Sequence, residues 1–98
     1  MQITQMIDRT PFAFEMTTIT SGAVVRLDEG YREYYKAAYL TLEDSTIRFR
    51  IDGGDPSDSL GHLLIATQNL YFVDPQSMRE LRMIATGDDA IAMITYYK

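Results

Sequence analysis

The residues whose types could support chemistry are few in this chain, and most lie in one stretch. His62 is the sole histidine and there is no cysteine, so a serine or cysteine triad would depend on His62 as its base. Zinc needs three or four nitrogen or sulfur ligands, which the sequence does not supply. The sequence therefore predicts no catalytic residue, no metal site and no cofactor. It favours a His62 that bonds loop backbone at the start of a strand.

Asp52, Asp55 and Asp58 follow one another at intervals of three residues. Calcium takes six to eight oxygen ligands, so an oxygen-rich loop could hold it, but the spacing of an EF-hand is not met. The favoured interpretation is turn chemistry, in which Asp52 and Asp55 accept bonds from loop N–H groups and Asp58 is solvated. Asp88 and Asp89 follow a glycine and predict a hairpin turn between the last two strands.

The element that must position the aspartate loop is a strand predicted over residues 46–52. The sequence there reads Ile47-Arg48-Phe49-Arg50-Ile51-Asp52-Gly53-Gly54-Asp55-Pro56. Large apolar residues alternate with Arg48 and Arg50, which predicts a half-buried strand that runs into a chain reversal. The arginines are either cross-strand partners of acids or part of a charged surface for a protein partner. The residues assigned to the structural loop are Asp52, Gly53, Asp55, Pro56, Gly61 and His62.

Turn residues recur at short intervals between β-branched and aromatic segments, which is typical of an all-β sandwich or barrel. With 98 residues, we expect a single domain over residues 1–98. We predict an antiparallel β-sandwich, jelly-roll-like or Ig-like, with seven to eight short strands and at most one short helical turn. The predicted strands are Phe12–Thr20, Ala23–Leu27, Ala38–Leu42, Thr46–Asp52, His62–Ala66, Leu70–Val73, Leu81–Ala85 and Ala90–Tyr97.

Connections within this sandwich are also predicted. Residues 42–47 are typical of a hairpin, since polar residues that tolerate tight turns join two strands. The last strand is apolar on both faces, which favours a central position. Residues 29–39 have tyrosines at helical spacing and could form a helical turn or an ordered loop. Asp74-Pro75 is a reasonable helix start, with Asp as N-cap and Pro at the first helical position, so one turn is expected over residues 76–81.

Four tyrosines within nine residues form a second candidate surface. Tyr31, Tyr34, Tyr35 and Tyr39 are too close together for all to be internal, and tyrosine is enriched at protein interfaces. The net charge of −5 argues against nucleic acid, whose phosphates need a basic face. No segment is long and apolar enough to span a membrane as a helix. The candidate interface therefore comprises these four tyrosines with Arg48 and Arg50, and its partner is expected to be protein.

Residues 47–64 resemble a pattern in small phage and prophage proteins. There, a strand of the form IRYRxDG leads into xxPTxSxGH and an apolar residue or two, and the chain closes on strands similar to residues 78–87 and 90–97. This sequence departs from that pattern in having Ser57-Asp58 and Thr67-Gln68-Asn69. The resemblance implies a compact β-sandwich encoded among virion structural genes. It gives Gly61 the task of close backbone approach or positive φ.

The resemblance implies a non-enzymatic virion protein, such as a capsid decoration, head–tail or tail accessory protein. It would be synthesised in the host cytoplasm and docked on a repeating lattice of capsid or tail proteins, with self-association expected because open sandwiches have edge strands. The alternative is a small carbohydrate- or cell-surface-binding module that uses the tyrosines as platforms. An enzyme is the third and least favoured interpretation.

Overall fold

The computed structural model describes residues 11–72 and 74–98, which form a two-layered, mostly antiparallel β structure with two short helices. The elements are β1 Pro11–Ile19, α1 Glu29–Tyr34, β2 Ala37–Glu43, β3 Thr46–Arg50, β4 His62–Ile65, β5 Asn69–Phe72, α2 Pro75–Glu80, β6 Arg82–Ala85 and β7 Ala90–Tyr97. One sheet has the order β1-β7-β2-β5 and the other β4-β3-β6. The predicted sandwich class is confirmed, although the two sheets are not closed.

The core lies between the two sheets and follows the period of two expected of strands. From the four-stranded sheet, Leu40, Leu42 and Ile94 point inward and are almost fully buried. Ile47 and Met83 do the same from the three-stranded sheet. As predicted, β7 is central in its sheet, since it pairs with β1 on one side and β2 on the other.

Both helices are one and a half turns long and begin at an aspartate that caps them. Asp28 Oδ1 accepts from the amides of Gly30 and Tyr31, and Asp74 Oδ2 accepts from Ser77 N at 2.9 Å. Pro75 stands at the first position of α2, as predicted. The expectation of at most one helical turn is wrong because residues 29–34 take the helical alternative as well.

Two predicted hairpins are instead corners at which the chain changes sheets. Residues 44–45 connect β2 to β3, which lie in different sheets, and residues 86–89 connect β6 to β7 in the same way. Asp44 and Ser45 both have left-handed φ angles, 59° and 61°. Ser45 Oγ donates to Asp88 O at 2.8 Å, so the two corners hold each other. A local turn motif does not specify whether its strands pair with each other or with other strands.

The remaining differences from prediction are local. Residues 23–27 do not form a strand, because only Val25 makes a bridge, with Met83 of β6. Two residues of this segment instead bind the helices, since Arg26 donates to the carbonyl of Arg79 in α2 and the carbonyl of Leu27 accepts from Arg32 of α1. The strand predicted to run to Asp52 ends at Arg50. Val73, the predicted end of another strand, lies outside the described residues.

Candidate functional site

The outer face of the four-stranded sheet is nearly free of charge. Its outward residues, here called the neutral face, are Phe14, Met16 and Thr18 of β1, Ile91, Met93 and Thr95 of β7, Tyr39 and Thr41 of β2, and Asn69 and Tyr71 of β5. Among the described outward residues of these strands, Glu43 at the margin is the one charged side chain. In a chain with 23% charged residues, this composition is unusual for a surface.

The neutral face exposes large apolar side chains at its β1 side. Phe14 is 60% exposed and Met16 is 63% exposed. The register places Phe14 opposite Thr95 and Met16 opposite Met93 of β7, so the apolar surface continues across the strands. An antiparallel sheet with one solvated side normally shows polar residues there. A contiguous apolar patch of this kind marks an interaction site.

Backbone pairing and side-chain contacts order the neutral face. The rings of Tyr39 and Tyr71 lie 5.1 Å apart between centroids, and Asn69 Nδ2 donates to Tyr39 Oη at 3.2 Å. With four strands about 4.8 Å apart and a rise of about 3.4 Å per residue, the face covers on the order of 500 Å². The surface is therefore a preformed platform rather than a pocket.

Glu15 is the one acidic residue of β1, and it is turned away from the neutral face. Its Oε1 accepts a hydrogen bond of 2.6 Å from the hydroxyl of Tyr96, a core residue with no exposed surface. Burial and this bond to a carboxylate both raise the pKa of Tyr96 above its ordinary value of 10.0. The inner hydrogen bond thus keeps a carboxylate off the outer surface.

Arg48 and Arg50, which the sequence predicts as part of an interface, lie with Arg82 on the outer face of the three-stranded sheet. All three contact the loop over residues 51–61. Arg48 Nη1 donates to Gly61 O at 3.0 Å. Arg50 binds Asp52 through two bonds, Nε to Oδ1 at 3.0 Å and Nη2 to Oδ2 at 2.7 Å. Arg82 Nε lies 3.4 Å from an oxygen of Asp55. These arginines therefore stabilise the loop, and only part of each side chain is exposed to solvent.

The three spaced aspartates have separate environments. Asp52 accepts from Arg50 and from the amide of Gly54, which lowers the pKa of Asp52 to about 2. Asp55 and Asp58 are both exposed, and Asp55 also forms an ion pair with Arg82. In residues 11–72 and 74–98, no group of three or more carboxylate or histidine side chains comes together that could hold a metal ion. The bond from Gly54 N to Asp52 Oδ1 is the turn chemistry predicted for Asp52.

Gly61 and His62 stand where the loop returns to the sheet. Gly61 has a φ of 123°, and a Cβ there would lie 3.0 Å from the carbonyl oxygen of Phe49, so both expectations for Gly61 are met. His62 is exposed, with its ring centroid 5.3 Å from that of Phe49. A shallow groove of about 420 Å³ passes these residues, and Arg50, Ile51, Asp52 and Leu60 also line it.

The four predicted interface tyrosines divide into two groups. Tyr35 is only 8% exposed and Tyr31 packs on the core, with centroids 5.8 Å and 4.8 Å from that of Tyr96. Tyr35 is therefore a core residue and Tyr31 a partly buried residue packed against the core, which corrects the assignment of these two to an interface. Tyr34 is 62% exposed and Tyr39 lies on the neutral face.

Most of the neutral face was not identified from the sequence. The signal that could have revealed it is the apolar character of β7 on both faces. In a fold of two layers, even a central strand has one side that no other layer covers, so its second apolar face must be exposed or bound. Met93 and Ile91 are that second face.

Comparison of the chain with known protein families, curated proteins and solved structures finds no match. Neither of the two helices in the described part of the chain is long and apolar enough to cross a bilayer.

Proposed function

We propose that this chain is a non-enzymatic accessory protein of a bacteriophage virion, which docks through its neutral face onto a repeating protein lattice of the capsid or tail. The observation that carries the proposal is the neutral face itself, with Phe14 and Met16 more than half exposed. The resemblance of residues 47–64 to small phage proteins supports the virion setting.

The chemistry of the neutral face favours a protein partner with a matching apolar surface. Phosphate backbones and charged headgroups need cationic side chains, and the outward residues described on this face include none. The aromatic and methionine side chains found here are enriched in protein interfaces. Repetition of the partner in a lattice would allow many copies to bind with the same face.

Two pairs of substitutions test the docking. Phe14→Thr with Met16→Thr removes apolar area from the neutral face without adding charge, and threonine suits a strand. Leu63→Thr with Ile65→Thr makes the matched change on the three-stranded sheet, where Leu63 is 50% exposed and Ile65 is 41% exposed. The measurement is the number of copies bound per particle of the encoding virus, by quantitative mass spectrometry of purified virions.

We expect the neutral-face pair to lower affinity by about tenfold or more, since a few large side chains commonly carry most of the binding energy of an interface. The Leu63 and Ile65 pair should bind as the unchanged chain does. Virions that contain no copies of the chain, or equal binding by both pairs, would refute the proposal.

A second candidate function, binding of a cell-surface carbohydrate, is favoured by one feature. Tyr34 presents an exposed aromatic ring beside a groove of about 260 Å³ that Lys36 and Lys98 also line. Lys98 Nζ lies 5.8 Å from the centroid of that ring. An aromatic platform beside two ammonium groups suits an acidic sugar. Saturable binding on a glycan array, lost in Tyr34→Ala, would support this function over lattice docking.

A further inference from the structure

The four outer edges of the two sheets are protected to different degrees. An edge strand presents unpaired N–H and C=O groups, so it pairs with another chain unless something blocks it. The edges are formed by β1 and β5 in one sheet and by β4 and β6 in the other. Which of them is blocked can be read from the hydrogen bonds of the described residues.

The β6 edge of the three-stranded sheet is occupied, and the β4 edge is occupied in part. On β4, Ile65 N donates to Gln68 Oε1 at 3.0 Å, and Gln68 N donates to Ile65 O at 3.0 Å, so a local turn caps the strand. On β6, Met83 exchanges two backbone bonds with Val25, and Ala85 N donates to Thr20 O at 2.9 Å. An added strand therefore has little backbone left to bind on β6, and on the four-residue β4 it would meet Ile65 already bonded within the chain.

The β1 edge of the four-stranded sheet differs in length and in chemistry. β1 has nine residues, whereas β5 at the opposite edge has four. Among the described residues, β1 pairs only with β7. β1 begins at Pro11, and a register shift between Pro11 and Ala13 guards its first residues. Residues 14–19 pair regularly with β7 on one side and contain no proline, lysine or arginine that would block the other. About half of the backbone groups of β1 point away from β7.

We propose that two copies of this chain pair antiparallel along β1 about a two-fold axis, which joins their four-stranded sheets into one sheet of eight strands. An isologous contact of this kind closes on itself, so each copy occupies the open edge of the other. Glu15 is the one charged residue of β1, and its side chain points inward to Tyr96. The outer face of β1 therefore has no charged side chain that would repel the same strand of a second copy.

The pairing also enlarges the docking surface. Two joined neutral faces offer a single partner about 1,000 Å² of sheet footprint instead of about 500 Å². Phe14 and Met16, the most exposed apolar residues of the face, then lie beside the seam at the centre of the combined surface. This argument from area rests on the proposed function, while the argument from the edge does not.

Single cysteines test the pairing, because the natural chain has none. Across a two-fold axis, a β1 residue near the axis faces its own mate within the Cα distance that a disulfide spans. Phe14→Cys, Met16→Cys and Thr18→Cys are oxidised mildly, and Leu63→Cys is the control of comparable exposure on the capped β4 edge. Light scattering measures the mass of the unchanged full chain.

We expect twice the 11.2 kDa chain mass and a cross-linked dimer that is at least several-fold more abundant at one β1 position than at Leu63→Cys. A monomer at all concentrations, or equal cross-linking on β1 and β4, overturns the pairing. So does a monomer in which hydrogen exchange shows every β1 amide protected, since the edge is then covered by the chain itself.

The outcomes separate the two proposals. A monomer that still binds virions through its neutral face refutes the pairing and leaves the docking. A β1-linked dimer that does not bind virions refutes the docking and leaves the pairing.

Discussion

The outer face of the three-stranded sheet carries Arg48, Arg50 and Arg82, whereas the neutral face of the four-stranded sheet has one charge, Glu43, at its margin. Both faces are outward sides of antiparallel sheets and are built from the same alternation. They differ in what the outward side chains touch. The arginines bind the loop over residues 51–61, while Phe14 and Met16 remain largely exposed.

This difference shows why charge on a strand is a poor guide to an interface. Arginines that satisfy carbonyl and carboxylate oxygens of their own chain are part of the fold. Phe14 and Met16 remain exposed to solvent among the described residues, so burial against another molecule would stabilise them by about 25 cal/mol for each Å² of apolar surface.

The largest expected effect concerns neighbouring leucines that point to opposite sides of β4. Leu64 is 3% exposed and Leu63 is 50% exposed. Leu64→Ala should lower the free energy of unfolding by about 2–4 kcal/mol through lost burial and a cavity. Leu63→Ala should change it by less than about 0.5 kcal/mol. Denaturant unfolding measures both, and equal losses would contradict the assignment of inner and outer faces.

The next effect tests the different use of charge on the two outer faces. Arg48→Met keeps much of the apolar stem but removes the bond to Gly61 O, so we expect a loss of about 1 kcal/mol in unfolding free energy. Thr18→Arg adds a charge to the exposed edge of the neutral face and should change stability by less than about 0.5 kcal/mol. Thermal unfolding of the two variants checks the contrast; a larger loss in Thr18→Arg would reverse it.

The sequence predicts local features of this molecule better than contacts between residues that are distant in sequence. The alternation in residues 46–50 and the Asp74-Pro75 cap are local signals, and both are confirmed. The pairing of β2 and β3 with strands of different sheets depends on contacts distant in sequence, so the local turn at Asp44 and Ser45 was misinterpreted. The sequence also predicts Tyr35 at an interface, because composition does not reveal that its ring packs on Tyr96.

A smaller effect is expected at alkaline pH and concerns the hydrogen bond between Tyr96 and Glu15. The folded pKa of Tyr96 is raised by burial and by Glu15. Above pH of about 10 the unfolded chain releases this proton while the folded chain retains it, so stability should fall as pH rises. Tyr96→Phe should reduce that slope. Unfolding midpoints measured from pH 8 to 11 give the comparison, and identical slopes would contradict the shift.

The smallest effect is a titration on the outer face of the three-stranded sheet. The pKa of Asp52 is about 2 because Arg50 and the amide of Gly54 bind its carboxylate. Any stabilisation from this pair is present above the ordinary value of 3.8 and is lost as pH falls toward 2. In Arg50→Gln, the carboxyl resonance should titrate nearer 3.8. An unchanged midpoint by NMR would show that Arg50 does not hold this carboxylate.

The most direct test of the neutral face as the docking surface is cross-saturation transfer by NMR, with methyl-labelled protein exchanging on virions of the encoding virus. Met16, Ile91 and Met93 report on the neutral face, and Leu63 and Ile65 report on the other sheet. We predict that saturation transferred from the particle reduces the methyl signals of the first group and leaves the second unchanged. Loss at Leu63 and Ile65 with no loss at Met16 and Met93 would contradict the account.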